Sequence, residues 1–97
     1  MNINKIKRIE KEINKHYGTE LSFVRDGYIK VTGESTYHFS DTINGELFET
    51  EDVAIDYYPE FRNNGYPWID KWLEKLAKKE GCYWEWDNPA IITLAVA

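Results

Sequence analysis

The chain has 97 residues, and an apolar fraction of 42% with 15% aromatic residues predicts one folded domain spanning residues 1–97 and excludes an intrinsically disordered protein. The single cysteine, Cys82, excludes an intramolecular disulfide and is typical of a reducing compartment. The net charge of −5 argues against direct binding of nucleic acid. No apolar run is long enough for a signal peptide or a membrane span, so we expect a cytoplasmic protein without membrane contact.

The first predicted element is an amphipathic helix of about three to four turns. Isoleucines recur at helical spacing between lysines and glutamates, at Ile3, Ile6, Ile9 and Ile13. Asn2 or Asn4 can cap the start of this helix, because an Asn side chain accepts hydrogen bonds from the first backbone amides. Gly18 suits the left-handed residue that follows the end.

Two hairpins are predicted next, each turning at an Asx-Gly pair between β-rich segments. The first covers residues 21–32 and turns at Asp26-Gly27. The second pairs residues 36–43 with an arm from Glu46 to about Thr50 and turns at Asn44-Gly45. Residues 53–58 either extend that arm or form a separate short strand.

The two-residue turn at Asn44-Gly45 determines which side chains of the second hairpin share a face. One face carries Tyr37, Phe39, Asp41, Ile43, Glu46, Phe48, Thr50 and Asp52. The other carries His38, Ser40, Thr42, Leu47, Glu49 and Glu51. The first face is the better candidate for the core, and this would direct Glu49 and Glu51 towards solvent.

The second half of the chain predicts a loop over residues 59–65, a helix and a final hairpin. Pro67 suits the first helical position, where no backbone donor is needed, and Gly81 suits the helix end. The apolar face of this helix carries Trp68, Ile69, Trp72, Leu73 and Leu76. The final hairpin covers residues 82–96 and turns near Asp87-Asn88-Pro89. The order α-β-β-β-β-α-β-β predicts an α+β fold with two helices packed on one face of an antiparallel sheet.

A strongly acidic stretch runs from Glu34 to Glu60, with eight carboxylates and neither Lys nor Arg. Ordinary surfaces mix charges of both signs, since like charges on neighbouring strands repel. The stretch ends in aromatic residues of the kind that anchor protein interfaces. We therefore predict that a basic partner binds these residues: Asp41, Glu46, Glu49, Glu51, Asp52, Asp56, Tyr57, Tyr58 and Glu60.

Two alternatives are consistent with the same residues. A metal or small ligand could bind at His38 with nearby carboxylates such as Asp41, or on an aromatic hairpin that carries Trp84 and Trp86. The acidity could instead serve only solubility, as in an accessory phage protein. The chain has no nucleophile motif, no phosphate-binding glycine loop and no zinc ligand set, so we expect neither enzymatic activity nor a cofactor.

The chain opens with Met1-Asn2-Ile3-Asn4 leading into a helix, and Ile92-Thr93-Leu94 occurs near its end. In these residues, and in the order of helix, acidic antiparallel sheet and further helix, it resembles small acidic phage-encoded anti-CRISPR proteins that inhibit type II-A Cas9 by DNA mimicry. The resemblance implies a non-enzymatic inhibitor in the host-cell cytoplasm. Its carboxylates would replace phosphates and pair with Arg and Lys of a Cas9–guide RNA complex.

Overall fold

The computed structural model describes residues 1–58 and 67–96, with the side chains of Asp41, Ile43 and Phe48 and all of Glu60 outside the description. The loop predicted over residues 59–65 also lies outside it. The elements in chain order are α1 (Ile3–Tyr17), β1 (Ser22–Arg25), β2 (Tyr28–Thr32), β3 (Thr36–Ile43), β4 (Glu46–Val53), β5 (Ile55–Asp56), β6 (Trp68–Ile69), α2 (Lys71–Lys79), β7 (Cys82–Asn88) and β8 (Ile91–Val96). This confirms the predicted α+β class.

Within the described residues, the main sheet has four antiparallel strands in the order β1-β2-β8-β7. It consists of two similar units, α1-β1-β2 and α2-β7-β8, which meet where β2 pairs with β8. Both helices cover the same face, because their buried side chains belong to one core cluster with alternate residues of β2 and β8. The structure therefore contains a repeated αββ unit, with residues 33–70 inserted between the two copies. No repeat is detectable in the sequence.

The predicted caps of α1 are confirmed, and so is its predicted face except for Ile3, which is exposed in the first turn because it precedes the part of the helix that packs on the sheet. Ile6, Ile9 and Ile13 are buried against the sheet, and each contributes about 1.5–3 kcal/mol of hydrophobic stabilisation. The Asn2 side chain accepts a hydrogen bond of 2.8 Å from the backbone amide of Lys5. The C-terminal end of α1 lies beside the start of α2, where the rings of His16 and Trp72 stack at 4.0 Å.

The predicted start of α2 is wrong by several residues. Trp68 and Ile69 form β6, which pairs antiparallel with β5, and the helix begins only at Lys71. The backbone amide of Asp70 donates to the carbonyl of Ala54 at 2.9 Å, which prolongs the strand pairing up to the helix. Strand pairing with a distant segment thus outweighs the helical preference of a Pro-led apolar run.

The insertion between the two units carries the second predicted hairpin. Its strands β3 and β4 pair only with each other among the described strands, so the prediction of a single antiparallel sheet is wrong for this hairpin. The chain leaves the main sheet at β2, which is already hydrogen-bonded on both sides, so the following hairpin cannot pair beside β2. Strand β4 extends to Val53, and β5 is the separate short strand that the sequence left as one of two alternatives.

Candidate partner-binding surface

The acidic hairpin, defined as β3, β4 and their turn (residues 36–53), carries five of the predicted carboxylates and neither Lys nor Arg. Asn44 and Gly45 adopt positive φ angles of 53° and 81°, as a tight two-residue turn requires. The register runs without interruption from Ile43 opposite Glu46 to Thr36 opposite Val53, as predicted. A two-stranded sheet is marginal by itself, so contacts at its base are needed to hold it.

One face of the acidic hairpin is exposed along its length. Its exposed side chains are His38, Ser40, Thr42, Leu47, Glu49 and Glu51. Glu49 and Glu51 are two residues apart on β4, so their side chains project in the same direction with a spacing of about 7 Å. His38 Nε2 lies 3.2 Å from Glu51 Oε1 across the strands. The prediction that Glu49 and Glu51 face solvent is confirmed.

The other face contacts the core through Tyr37, whose ring centroid lies 4.8 Å from that of Tyr17 at the end of α1. Phe39 follows at 6.0 Å from Tyr37 but remains 44% exposed, and Glu46 is exposed. The prediction that this face joins the core is therefore right for Tyr37 and wrong for Phe39 and Glu46. The reason is geometric: the helices cover the main sheet, and the hairpin projects from it.

Tyr17 is the core residue that the base of the acidic hairpin contacts. Its hydroxyl donates a 2.6 Å hydrogen bond to Asp70 Oδ2, which links the end of α1 to the start of α2. Burial, and then the neighbouring Asp70 carboxylate, raise the pKa of Tyr17 far above its ordinary value. The ring also meets Trp72 edge-on at 5.7 Å, while His16 stacks on Trp72 at 4.0 Å. Tyr37 therefore packs on the ring of Tyr17, which forms an aromatic cluster with Trp72 and His16 and is held in place by its hydrogen bond to Asp70.

The two predicted tyrosine anchors differ in their surroundings. Tyr57 is half-buried and meets Trp86 edge-on at 5.1 Å, so part of its ring stabilises the fold. Tyr58 is 73% exposed and remains available to a partner. Asp56 Oδ1 accepts a 3.1 Å hydrogen bond from the backbone amide of Tyr58. Both tyrosines follow closely after the base of the acidic hairpin in the chain.

The structure thus brings Glu49 and Glu51 together on one exposed face of the hairpin, and Glu46 is exposed on the other face. Asp52 is half-buried on β4, and its Oδ1 accepts a 2.8 Å hydrogen bond from the backbone amide of the next residue. Leu47 was not predicted as a site residue, yet it is 67% exposed beside the turn. The register signals it, because Leu47 shares a face with Glu49 and Glu51.

The aromatic hairpin of β7 and β8 has a structural role. Trp84 Nε1 donates a 2.8 Å hydrogen bond to the carbonyl of Leu73 on α2, and Trp86 packs against Tyr57. Both tryptophans pack against the core cluster. Within residues 1–58 and 67–96, no three His, Cys, Asp or Glu side chains are grouped so that they could hold a metal ion. In the same residues, neither helix is long and apolar enough to cross a membrane.

No protein-family model, no curated protein and no solved structure matches this chain.

Proposed function

We propose that the protein is a non-enzymatic binder that occupies and inhibits a basic, nucleic-acid-binding partner through its acidic hairpin. One observation carries the proposal: five carboxylates belong to a single projecting hairpin that contains neither Lys nor Arg. A surface of one charge sign attracts a surface of the opposite sign and accelerates encounter with it. The same surface repels nucleic acid, and a protein with a basic nucleic-acid-binding surface has the charge that complements it.

Exposed apolar side chains on and beside the hairpin supply the second part of the argument. Leu47, Phe39 and Tyr58 are all exposed large hydrophobic residues. Complete burial of such a side chain contributes about 1.5–3 kcal/mol, whereas one exposed ion pair contributes about 0.2–1 kcal/mol. Leu47 shares its face of the hairpin with Glu49 and Glu51, whereas Phe39 lies on the opposite face. We therefore assign most of the affinity at the acidic face to Leu47, with Tyr58 and Phe39 contributing where the partner extends past that face, and the orientation and association rate to the carboxylates.

A Cas9–guide RNA complex is the first partner to test, because the chain resembles the anti-CRISPR inhibitors in its opening residues and element order. In that complex the carboxylates would pair with the Arg and Lys side chains that otherwise contact DNA. Glu49 and Glu51 are the central candidates, since they are exposed neighbours on one face. Inhibition would follow from exclusion of DNA and needs no chemical step.

The test compares wild type with E49Q/E51Q and with a matched control, E20Q/D26N, which removes two exposed carboxylates outside the hairpin. Binding to purified Cas9–guide RNA complex is measured by interferometry, and capture from a CRISPR-bearing bacterial lysate by mass spectrometry. We expect the control to bind like wild type and E49Q/E51Q to bind roughly fivefold more weakly. Higher salt should weaken all binding, because exposed charges are screened over about 8 Å at physiological ionic strength.

The outcomes separate the partner from the mode of binding. If another basic protein is captured and E49Q/E51Q loses it, the binding mode stands and the Cas9 assignment is wrong. If all three proteins capture the same set, or if salt has no effect, the acidic hairpin is a solubility feature and the proposal fails.

A further inference from the structure

The outer edge of β1 is closed by a side chain from α1. The amide group of Asn14 accepts a 2.8 Å hydrogen bond from the backbone amide of Ser22 and donates one of 3.3 Å to its carbonyl. Asn14 thus takes the place of a neighbouring strand at this position. Because both backbone groups of Ser22 reach Asn14, they point away from β2.

This observation determines the direction of the backbone groups at the opposite edge of the sheet. Successive pairs across an antiparallel sheet alternate between hydrogen-bonded and non-hydrogen-bonded types. The register connects Ser22 with Val31, Val31 with Ile92, and Ile92 with Trp86. The Ser22–Val31 pair is therefore of the non-hydrogen-bonded type, the Val31–Ile92 pair is hydrogen-bonded, and the Ile92–Trp86 pair is again non-hydrogen-bonded. The N–H and C=O of Trp86 consequently point away from β8. The same holds for Trp84, two residues earlier on β7.

The second αββ unit repeats the architecture of the first but lacks the closing side chain. Trp84 bonds the carbonyl of Leu73 on α2 at 2.8 Å, just as the Ser22 hydroxyl of β1 bonds the carbonyl of Glu10 on α1 at 3.0 Å. Asn14 comes four residues after Glu10. Four residues after Leu73 the chain has alanine, which has no amide group to cap the strand. Among the described residues, no hydrogen bond reaches the outward backbone groups of Trp84.

An open groove of about 560 Å³ lies between α2 and β7 at this edge. Its apolar lining includes Ala77 and Trp84, and three lysines of α2 line it as well: Lys71, Lys75 and Lys78. All three lysines are exposed, and none forms an ion pair with a described residue. Glu74 is the one carboxylate among the described lining residues, so these residues together carry a net positive charge.

We propose that this groove binds an extended acidic segment of another protein, which adds to β7 as a fifth strand of the main sheet. Addition of a strand to an open sheet edge derives affinity from backbone hydrogen bonds and specificity from the flanking side chains. Here the backbone groups of Trp84 and Trp86 supply the hydrogen bonds. Lys71, Lys75 and Lys78 select carboxylates on the added strand. This second site is independent of the acidic hairpin and of the function proposed for it.

The probe is a fluorescent peptide of alternating Glu and Val with about seven residues, the length of β7. The first control peptide carries Lys in place of Glu. The second control peptide keeps the original side chains but has N-methyl groups on alternate backbone amides. The protein is compared as wild type, as K71E/K75E/K78E, and as the matched control K7E/K11E/K15E on α1, whose lysines are exposed. Fluorescence anisotropy measures affinity, and amide hydrogen exchange by NMR follows Trp84 and Trp86.

We expect the acidic peptide to bind wild type and the α1 control alike, and to bind the α2 variant roughly tenfold more weakly after loss of three exposed ion pairs. N-methylation should weaken binding by a similar factor, and binding should slow exchange of the two tryptophan amides. Failure of the acidic peptide to bind, or equal binding of the lysine or N-methylated peptide, refutes the proposal. Protection of both amides in the free, dilute protein also refutes it, because the edge is then already occupied. Sedimentation at rising concentration detects a second copy of the chain in the groove, which would replace the proposed partner.

Discussion

The hydroxyl of Tyr17 offers the sharpest test of how the two helices are held together. Tyr17 is 4% exposed, and its hydroxyl donates a 2.6 Å hydrogen bond to the carboxylate of Asp70. The substitution Tyr17→Phe removes this bond and leaves the ring that supports Tyr37 and Trp72. A hydrogen bond to a charged group contributes about 1.5–3 kcal/mol, so the variant should lose about 2 kcal/mol of unfolding free energy at pH 7.

The same bond predicts a pH dependence with a definite sign. Burial and the Asp70 carboxylate raise the pKa of Tyr17 in the folded protein above its ordinary value of 10.0. When the pKa of a group is higher in the folded state than in the unfolded state, its stabilisation of the fold is complete below the unfolded-state pKa. The stabilisation is lost as the pH rises from the unfolded-state pKa through the folded-state pKa. At pH 11 the unfolded chain gains about 1.4 kcal/mol by ionising this tyrosine. The difference between wild type and Tyr17→Phe should therefore shrink to about 0.6 kcal/mol.

Urea unfolding followed by tryptophan fluorescence measures both quantities, and the comparison of two proteins at each pH cancels the titration of all other groups. Equal m-values would show that the two proteins unfold in the same way. A loss under 0.5 kcal/mol at pH 7, or a difference that is unchanged between pH 7 and pH 11, would refute the role assigned to this hydrogen bond.

Three further predictions concern the insertion and the helix pair. Gly33→Ala should lower the unfolding free energy measured in urea by about 1–3 kcal/mol, because an added Cβ would lie 2.9 Å from Ile55 Cγ1. Gly33→Ser should lower it by at least as much. Leu47→Ser should leave the unfolding free energy within about 0.5 kcal/mol but weaken capture of the partner, and a larger loss of stability would show that Leu47 packs in the fold. Arg8→Ala should cost about 1 kcal/mol at pH 7, since Arg8 bonds both carboxylate oxygens of Glu80 at 3.1 Å. Burial opposes ionisation of Glu80, but Arg8 and Lys5 outweigh burial and lower the pKa of this carboxyl. The stabilisation is therefore present above the ordinary pKa of 4.5 and is lost as the pH falls. If Arg8→Ala lowered the unfolding free energy equally in acid, the assignment would be contradicted.

The candidate site was predictable in part. The Asn44-Gly45 pair determines the register of the acidic hairpin, and the register in turn places Glu49 and Glu51 on one face. The hairpin register also places Leu47 on the solvent-directed face, but the exposure of Phe39 was not predictable, because Phe39 lies on the face that was expected to join the core. The basic groove beside β7 was not predictable from the sequence either, because its position depends on which strand lies at the edge of the sheet.

The sequence by itself determined the local structures: the isoleucine face of α1, its Asn2 cap, and the turns at Asp26-Gly27 and Asn44-Gly45. Each of these depends on residues within a few positions of one another, where turn geometry and helical spacing act directly. Only the tertiary structure decided that residues 68–69 form a strand, that the acidic hairpin stays outside the main sheet, and that β7 lies at the edge. Those outcomes depend on pairing between segments far apart in the chain, and the competition among such pairings leaves no local pattern.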